Sequence, residues 1–121
     1  MRSEDILKIA ATALDNKKAE NLTAVRVEDL TALTEYFLIA TATSNTHVRA
    51  LTDEVEDALA EAGEKPHHIE GKSSGWIVLD YRSVIVHIFT PEMREFYSLD
   101  HIWSDGEVVD LTTIIEDSEV K

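Results

Sequence analysis

Three groupings of residues in this 121-residue chain are of the types that do chemistry. The first is Gly71-Lys72-Ser73. Gly-Lys-Ser closes a phosphate-binding loop when a glycine stands five residues before it. The loop must also run from a strand into a helix, whose N-terminal amides hold the anion. Here position 66 is proline, and Ser74-Gly75 leads into the β-rich run Trp76–Tyr81. Both requirements fail, so residues 71–75 read as a turn between strands. The second grouping is the set of five histidines. His67 and His68 are adjacent and on a strand would point to opposite faces, which suits no shared metal. His87 stands between Val86 and Ile88 and is expected to be a hydrogen-bonded structural residue. The third grouping is Ser44 with His47, a hydroxyl near a base. A helix cap explains Ser44 more simply, and no third residue orients the histidine. No cofactor and no metal are expected.

The elements that position these residues follow from periodicity. Ser3 is expected to cap a first helix, with Glu4 and Asp5 in its first turn and an apolar stripe of Ile6, Ile9, Ala10, Ala13 and Leu14. Leu22–Val27 alternates like a half-buried strand, and Tyr36–Ala42 is apolar enough to be a central one. Ser44 or Asn45 should cap a second helix with Val48, Leu51, Val55, Ala58, Leu59 and Ala62 inward and Gly63 as its stop. Its other face carries Asp53, Glu54, Glu56, Asp57 and Glu61. A short strand around His67–Glu70 precedes Trp76–Tyr81 and Val84–Phe89, an antiparallel hairpin across Arg82-Ser83. Thr90-Pro91 opens a third helix, Pro91–Trp103. Residues 105–121 read as an acidic tail, within which "VVDLTTII" could add a small strand. The fold class is α/β (mixed α+β), one mixed sheet of about five strands packed by about three helices.

Composition narrows the function. A charged fraction of 29% and a hydrophobic fraction of 44% suit one globular domain. Lys and Arg number 11 against 24 Asp and Glu, a net charge of −13. Such a surface repels a phosphate backbone, so direct nucleic-acid binding is not expected. A contact with a basic protein is favoured instead. The absence of cysteine removes disulfides, thiolate nucleophiles and zinc–cysteine sites. With no long apolar run and an acidic start, "MRSEDILKIA", the chain is read as cytoplasmic and not membrane-bound.

Four stretches carry a resemblance to the ribosomal silencing factor family, also called RsfS or Iojap. They are "ALDNKKAENL" (13–22), "EYFLIATATSNTHVRALTDEVEDAL" (35–59), "GWIVLDYRSVIVHIF" (75–89) and "PEMREFYSLDHIW" (91–103), in the family's order and spacing. Residues 1–104 are accordingly read as the ribosomal silencing factor domain. The resemblance implies a nucleotidyltransferase-like fold and a translational repressor. It implies binding to the large ribosomal subunit through ribosomal protein L-fourteen and a steric block of small-subunit docking. Translation would then fall when nutrients are short. It also implies a homodimer in the free state. The chain departs from the family where Ala42 and Arg82 replace frequent glycines and Thr46 replaces a frequent arginine.

The same resemblance invites an alternative, a nucleotide-binding or nucleotidyltransferase-type enzyme. Those enzymes use a Gly-Ser pair and an Asp-x-Asp pair that holds magnesium. Here Thr43-Ser44 replaces the first, and Asp80 stands alone between Val78 and Arg82. One carboxylate makes no metal clamp, so no catalysis is expected. For the protein contact the resemblance points to Trp76 and Asp80, with Leu79 and Tyr81 beside them. Phe96, Tyr97 and Trp103 are expected in the core or a dimer contact.

Overall fold

The computed structural model describes residues 1–71, 75–93, 106–111 and 115. The chain runs through α1 (Ser3–Asn16), β1 (Glu20–Arg26), β2 (Tyr36–Thr41), α2 (Asn45–Glu61), β3 (His68–Glu70), β4 (Trp76–Asp80), β5 (Val84–Phe89) and β6 (Glu107–Val109). Pro91–Met93 open a further helical turn. The expected continuation to Trp103, with Phe96 and Tyr97, lies outside the described residues.

One sheet of six strands runs in the order β3-β4-β5-β2-β1-β6. The central pair, β2 and β5, is parallel, and every other neighbouring pair is antiparallel. Parallel neighbours need a long crossover, which α2, β3 and β4 supply. The mixed α/β class is as read, with a strand count of six instead of about five. The added strand is β6, in a segment the sequence placed in the tail. It pairs with β1 from Ala24↔Val109 to Arg26↔Glu107. The small strand left open for "VVDLTTII" covers only its first two residues with Glu107 before them, and β1 supplies the ladder that defines it.

Helix boundaries have identifiable causes. Ser44 caps α2, its Oγ accepting the His47 amide at 3.1 Å. At the other end the Gly63 amide donates to Ala60 O at 3.0 Å and the Glu64 amide to Leu59 O at 2.8 Å. That is a Schellman stop, which needs a left-handed residue, and Gly63 has φ 90. The first helix ends the same way without a glycine. The Lys18 amide reaches Asp15 O and the Ala19 amide Leu14 O, both at 3.0 Å, with Lys18 at φ 63. At its start the sequence expectation is corrected. Ser3 is the first helical residue and not the cap, and Arg2 in the cap position makes no side-chain cap bond. The Ser3 hydroxyl sits instead between the carboxylates of Glu4 and Glu35, 2.5 Å from each.

Both helices lie on one face of the sheet. Their apolar stripes, Ile6, Leu7, Ala10 and Leu14 with Val48, Leu51, Val55 and Leu59, meet Leu38, Ala40, Ile77, Leu79, Val84, Val86 and Ile88 in one core. The second face is buried as well. It holds Val25, Val27 and Phe37 in one cluster and Ile39 with Phe89, Trp76 and Met93 in another. A sheet buried on both faces explains why β2 and β5 read as continuous apolar runs. Among the described residues no helix is long and apolar enough to cross a membrane.

Candidate functional site

Of the four candidate contact residues, Trp76, Leu79 and Asp80 lie on β4 and Tyr81 directly follows it, so pleating divides them between the two faces. Trp76, Val78 and Asp80 are half-buried on the second face, while Ile77 and Leu79 are buried against the helices. Leu79 is 0% exposed and Tyr81 5%. Of the four, Trp76 and Asp80 therefore keep surface open to solvent. The side chains of Leu79 and Tyr81, placed beside them by sequence adjacency, lie in the core beneath. Trp76 and Asp80 stand at opposite ends of the strand, roughly 13 Å apart at strand rise.

Asp80 is tied into the hairpin. Its Oδ1 accepts the Arg82 amide at 2.7 Å. Its carbonyl accepts the His67 amide, also at 2.7 Å. Arg82 takes φ 72, a left-handed position that glycine would adopt without steric cost. Its guanidinium lies 3.2 Å from His67 Nδ1. His68 and Glu70 pair at 2.6 Å on the neighbouring strand. This end of the sheet is a polar corner with Asp80, Arg82, His67, His68 and Glu70 together.

Trp76 is the aromatic end. Its ring stacks on Phe89 with centroids 5.0 Å apart and an interplanar angle of 20°. Its Nε1 donates to His87 Nδ1 at 3.3 Å. His87 is buried, and desolvation lowers its pKa from 6.5 to about 4. The imidazole is neutral at physiological pH. Tyr81 is shifted the other way, to about 12, by burial and then by the negative charges of Glu56 and Glu64. Its hydroxyl is buried without a hydrogen-bond partner.

The other groupings have structural explanations. His47 Nδ1 accepts the Thr43 amide at 2.8 Å, so its proton sits on Nε2, which donates to the Lys17 carbonyl at 2.7 Å. Both nitrogens are engaged with backbone, and Ser44 is the cap, so neither is a nucleophile–base pair. Residues 72–74 lie outside the described residues, yet the strands they join, β3 and β4, are antiparallel neighbours. A phosphate loop would lead into a helix instead. No group of three or more metal-ligating side chains occurs among the described residues. Ala42, where a glycine is frequent, packs its methyl in the core at 0% exposure, and Thr46 is exposed in the first turn of α2. A cleft of about 530 Å³ opens between Thr43, Ser44, Asn45, Gly75, Thr90 and Met93. Gly75 takes φ 77 there, and a Cβ would come 3.4 Å from Thr90 Oγ1.

The role of His87 as the acceptor for Trp76 was not readable from spacing. Its only signal was one histidine in an apolar strand, and the pairing needs the β4–β5 register.

Known proteins share this architecture. A crystal structure of a Chromobacterium violaceum protein superposes with a TM-score of 0.83 at 32% identity, covering 86% of this chain and 88% of that one. One from Bacillus halodurans gives a TM-score of 0.78 at 29% identity, covering 88% and 97%. In sequence, the ribosomal silencing factor RsfS of Bacillus subtilis (strain 168) is 36% identical over 112 residues, 92% of this chain and 95% of its own length. The family described as "Ribosomal silencing factor during starvation" matches residues 1–121. With the family model matching residues 1–121 and the fold superposing on its solved relatives, the chain belongs to the ribosomal silencing factor (RsfS) family.

Proposed function

We propose that this protein is a translational repressor of the cytoplasm. It binds the large ribosomal subunit through ribosomal protein L-fourteen and blocks docking of the small subunit by occupying the joining surface. The observation that carries this reading is the family match over residues 1–121. No turnover is involved, and occupancy alone lowers translation when nutrients are short. The free protein is a homodimer.

Two features of the chain suit the reading. A rigid aromatic anchor flanked by charge is the usual build of a protein contact, and β4 offers Trp76 at one end and Asp80 at the other. The net charge of −13 favours a basic protein partner over ribosomal RNA. The enzymatic alternative is the weaker one. Asp80 has no carboxylate two residues away, and its Oδ1 is already engaged with the Arg82 amide.

Co-sedimentation with isolated large and small subunits, followed by mixing the two, tests the proposal. The protein should travel with the large subunit alone and lower the yield of joined ribosomes. Purified L-fourteen should compete for it, and Trp76→Ala and Asp80→Ala should weaken the binding. A chain that stays at the top of the gradient at low salt would end the repressor reading. A thermal shift with magnesium-nucleotide would then support the enzyme. Ligand at 100 times its dissociation constant stabilises by about 2.7 kcal/mol.

A further inference from the structure

The register of β4 on β5 sets Trp76 across from Phe89 and Val78 across from His87. His87 is therefore diagonal to Trp76 on the same face, a separation that aromatic side chains span. The two rings meet with centroids 6.1 Å apart and an interplanar angle of 29°. His87 is in turn nearly coplanar in orientation with Phe89, at 9°, and is flanked from β2 by Phe37 at 5.2 Å.

Indole N–H only donates, so His87 Nδ1 is an unprotonated acceptor and the proton sits on Nε2. Nε2 is buried and has no hydrogen-bond partner. An unpaired buried donor destabilises a fold, and an apolar residue at position 87 would avoid that cost. What the imidazole adds here is the acceptor at Nδ1. Its burial keeps it neutral, so the acceptor is present throughout the physiological range.

We infer that His87 is a positioning residue for the partner surface, its Nδ1 fixing the Trp76 indole in the rotation that lies flat on Phe89. This rests on the reading that Trp76 meets ribosomal protein L-fourteen. A ring held before binding loses less rotamer freedom on binding, and that saving appears as affinity. His87 itself need not touch the partner.

The test compares His87→Leu with His87→Asn in a Trp103→Phe background, where Trp76 is the only tryptophan. Asparagine keeps an acceptor near the position of Nδ1, and leucine does not. Melting temperature, time-resolved anisotropy of Trp76 and affinity for purified L-fourteen are measured for each. The leucine variant should melt no lower than the parent and show a more mobile indole. It should bind about fivefold more weakly, the net worth of one hydrogen bond. The asparagine variant should recover most of both losses. His87→Phe replaces the leucine variant should that one unfold. If the parent binds and the apolar variant binds equally well, or if asparagine loses as much as leucine, the positioning role is overturned alone. If the parent does not bind L-fourteen, the partner reading fails and the positioning role falls with it.

Discussion

His47 Nε2 donates to the Lys17 carbonyl oxygen at 2.7 Å, joining the first turn of α2 to the last residue of α1's cap across thirty residues of chain. The bond satisfies a carbonyl of the kind that helix ends leave orphaned. With Nδ1 accepting the Thr43 amide, one imidazole ties two backbone groups together.

His47→Ala should therefore cost about 1–2 kcal/mol, since two backbone groups lose their partner. Urea denaturation of the two proteins measures it. A change within about 0.5 kcal/mol, the range of ordinary surface substitutions, would show that water replaces the imidazole at no cost.

Leu79→Ala and Trp76→Ala should part company. Leu79 is fully buried between sheet and helices, so its truncation leaves a cavity and should lower stability by about 2–5 kcal/mol. Trp76 is half-buried, and Trp76→Ala should cost less stability while weakening the proposed large-subunit contact more. Denaturation midpoints beside co-sedimentation separate the two effects. Equal stability losses would mean that Trp76 is as much a core residue as Leu79.

The two Schellman stops make opposite predictions. Lys18 holds φ 63 with a full side chain, so Lys18→Gly should stabilise the chain by up to about 1 kcal/mol. At φ 90, Gly63→Ala should destabilise by about 1 kcal/mol, although a Cβ there meets nothing within 4 Å. Thermal melts of both variants check the pair. A shift of the same sign in both would remove backbone strain as the cause.

Stability should depend on pH through His87. Its pKa falls from 6.5 to about 4 on folding, through desolvation. Between those values the unfolded chain binds a proton that the folded chain refuses. The contribution is complete above about pH 6.5 and is lost as pH falls toward 4, by an amount on the order of 3 kcal/mol. The parent should lose stability against His87→Asn as buffers go from pH 7 to pH 5. A stability gap independent of pH over that range would mean that His87 is not buried in its neutral form.

Much of this molecule was legible without coordinates, for local reasons. The stripe Val48, Leu51, Val55, Leu59 with Ser44 before it and Gly63 after it specifies a helix, because cap, period and stop all act within a few residues. Tyr36–Ala42 declared itself a central strand by being almost wholly apolar, and Val84–Phe89 was readable as one strand of a hairpin. The Arg82-Ser83 link required an antiparallel hairpin. Family membership was legible too, since it rests on residue order alone.

What stayed hidden depends on contacts between distant segments. A left-handed Lys18 has no local signature, because lysine tolerates that conformation only when Leu14 and Asp15 carbonyls hold it. Glu107–Val109 becomes a strand because β1 offers an unpaired edge. Ser3 gives up capping because Glu35 lies beside it. The candidate contact residues show the division most plainly. Strand alternation already put Trp76 and Asp80 on one face and Leu79 and Tyr81 on the other, and the helices packed on that other face buried the latter pair. The alternation of a strand is written in the chain. Which face is covered by α1 and α2, and which ring His87 holds, are decided by register and packing, energies that exist only when the sheet has assembled.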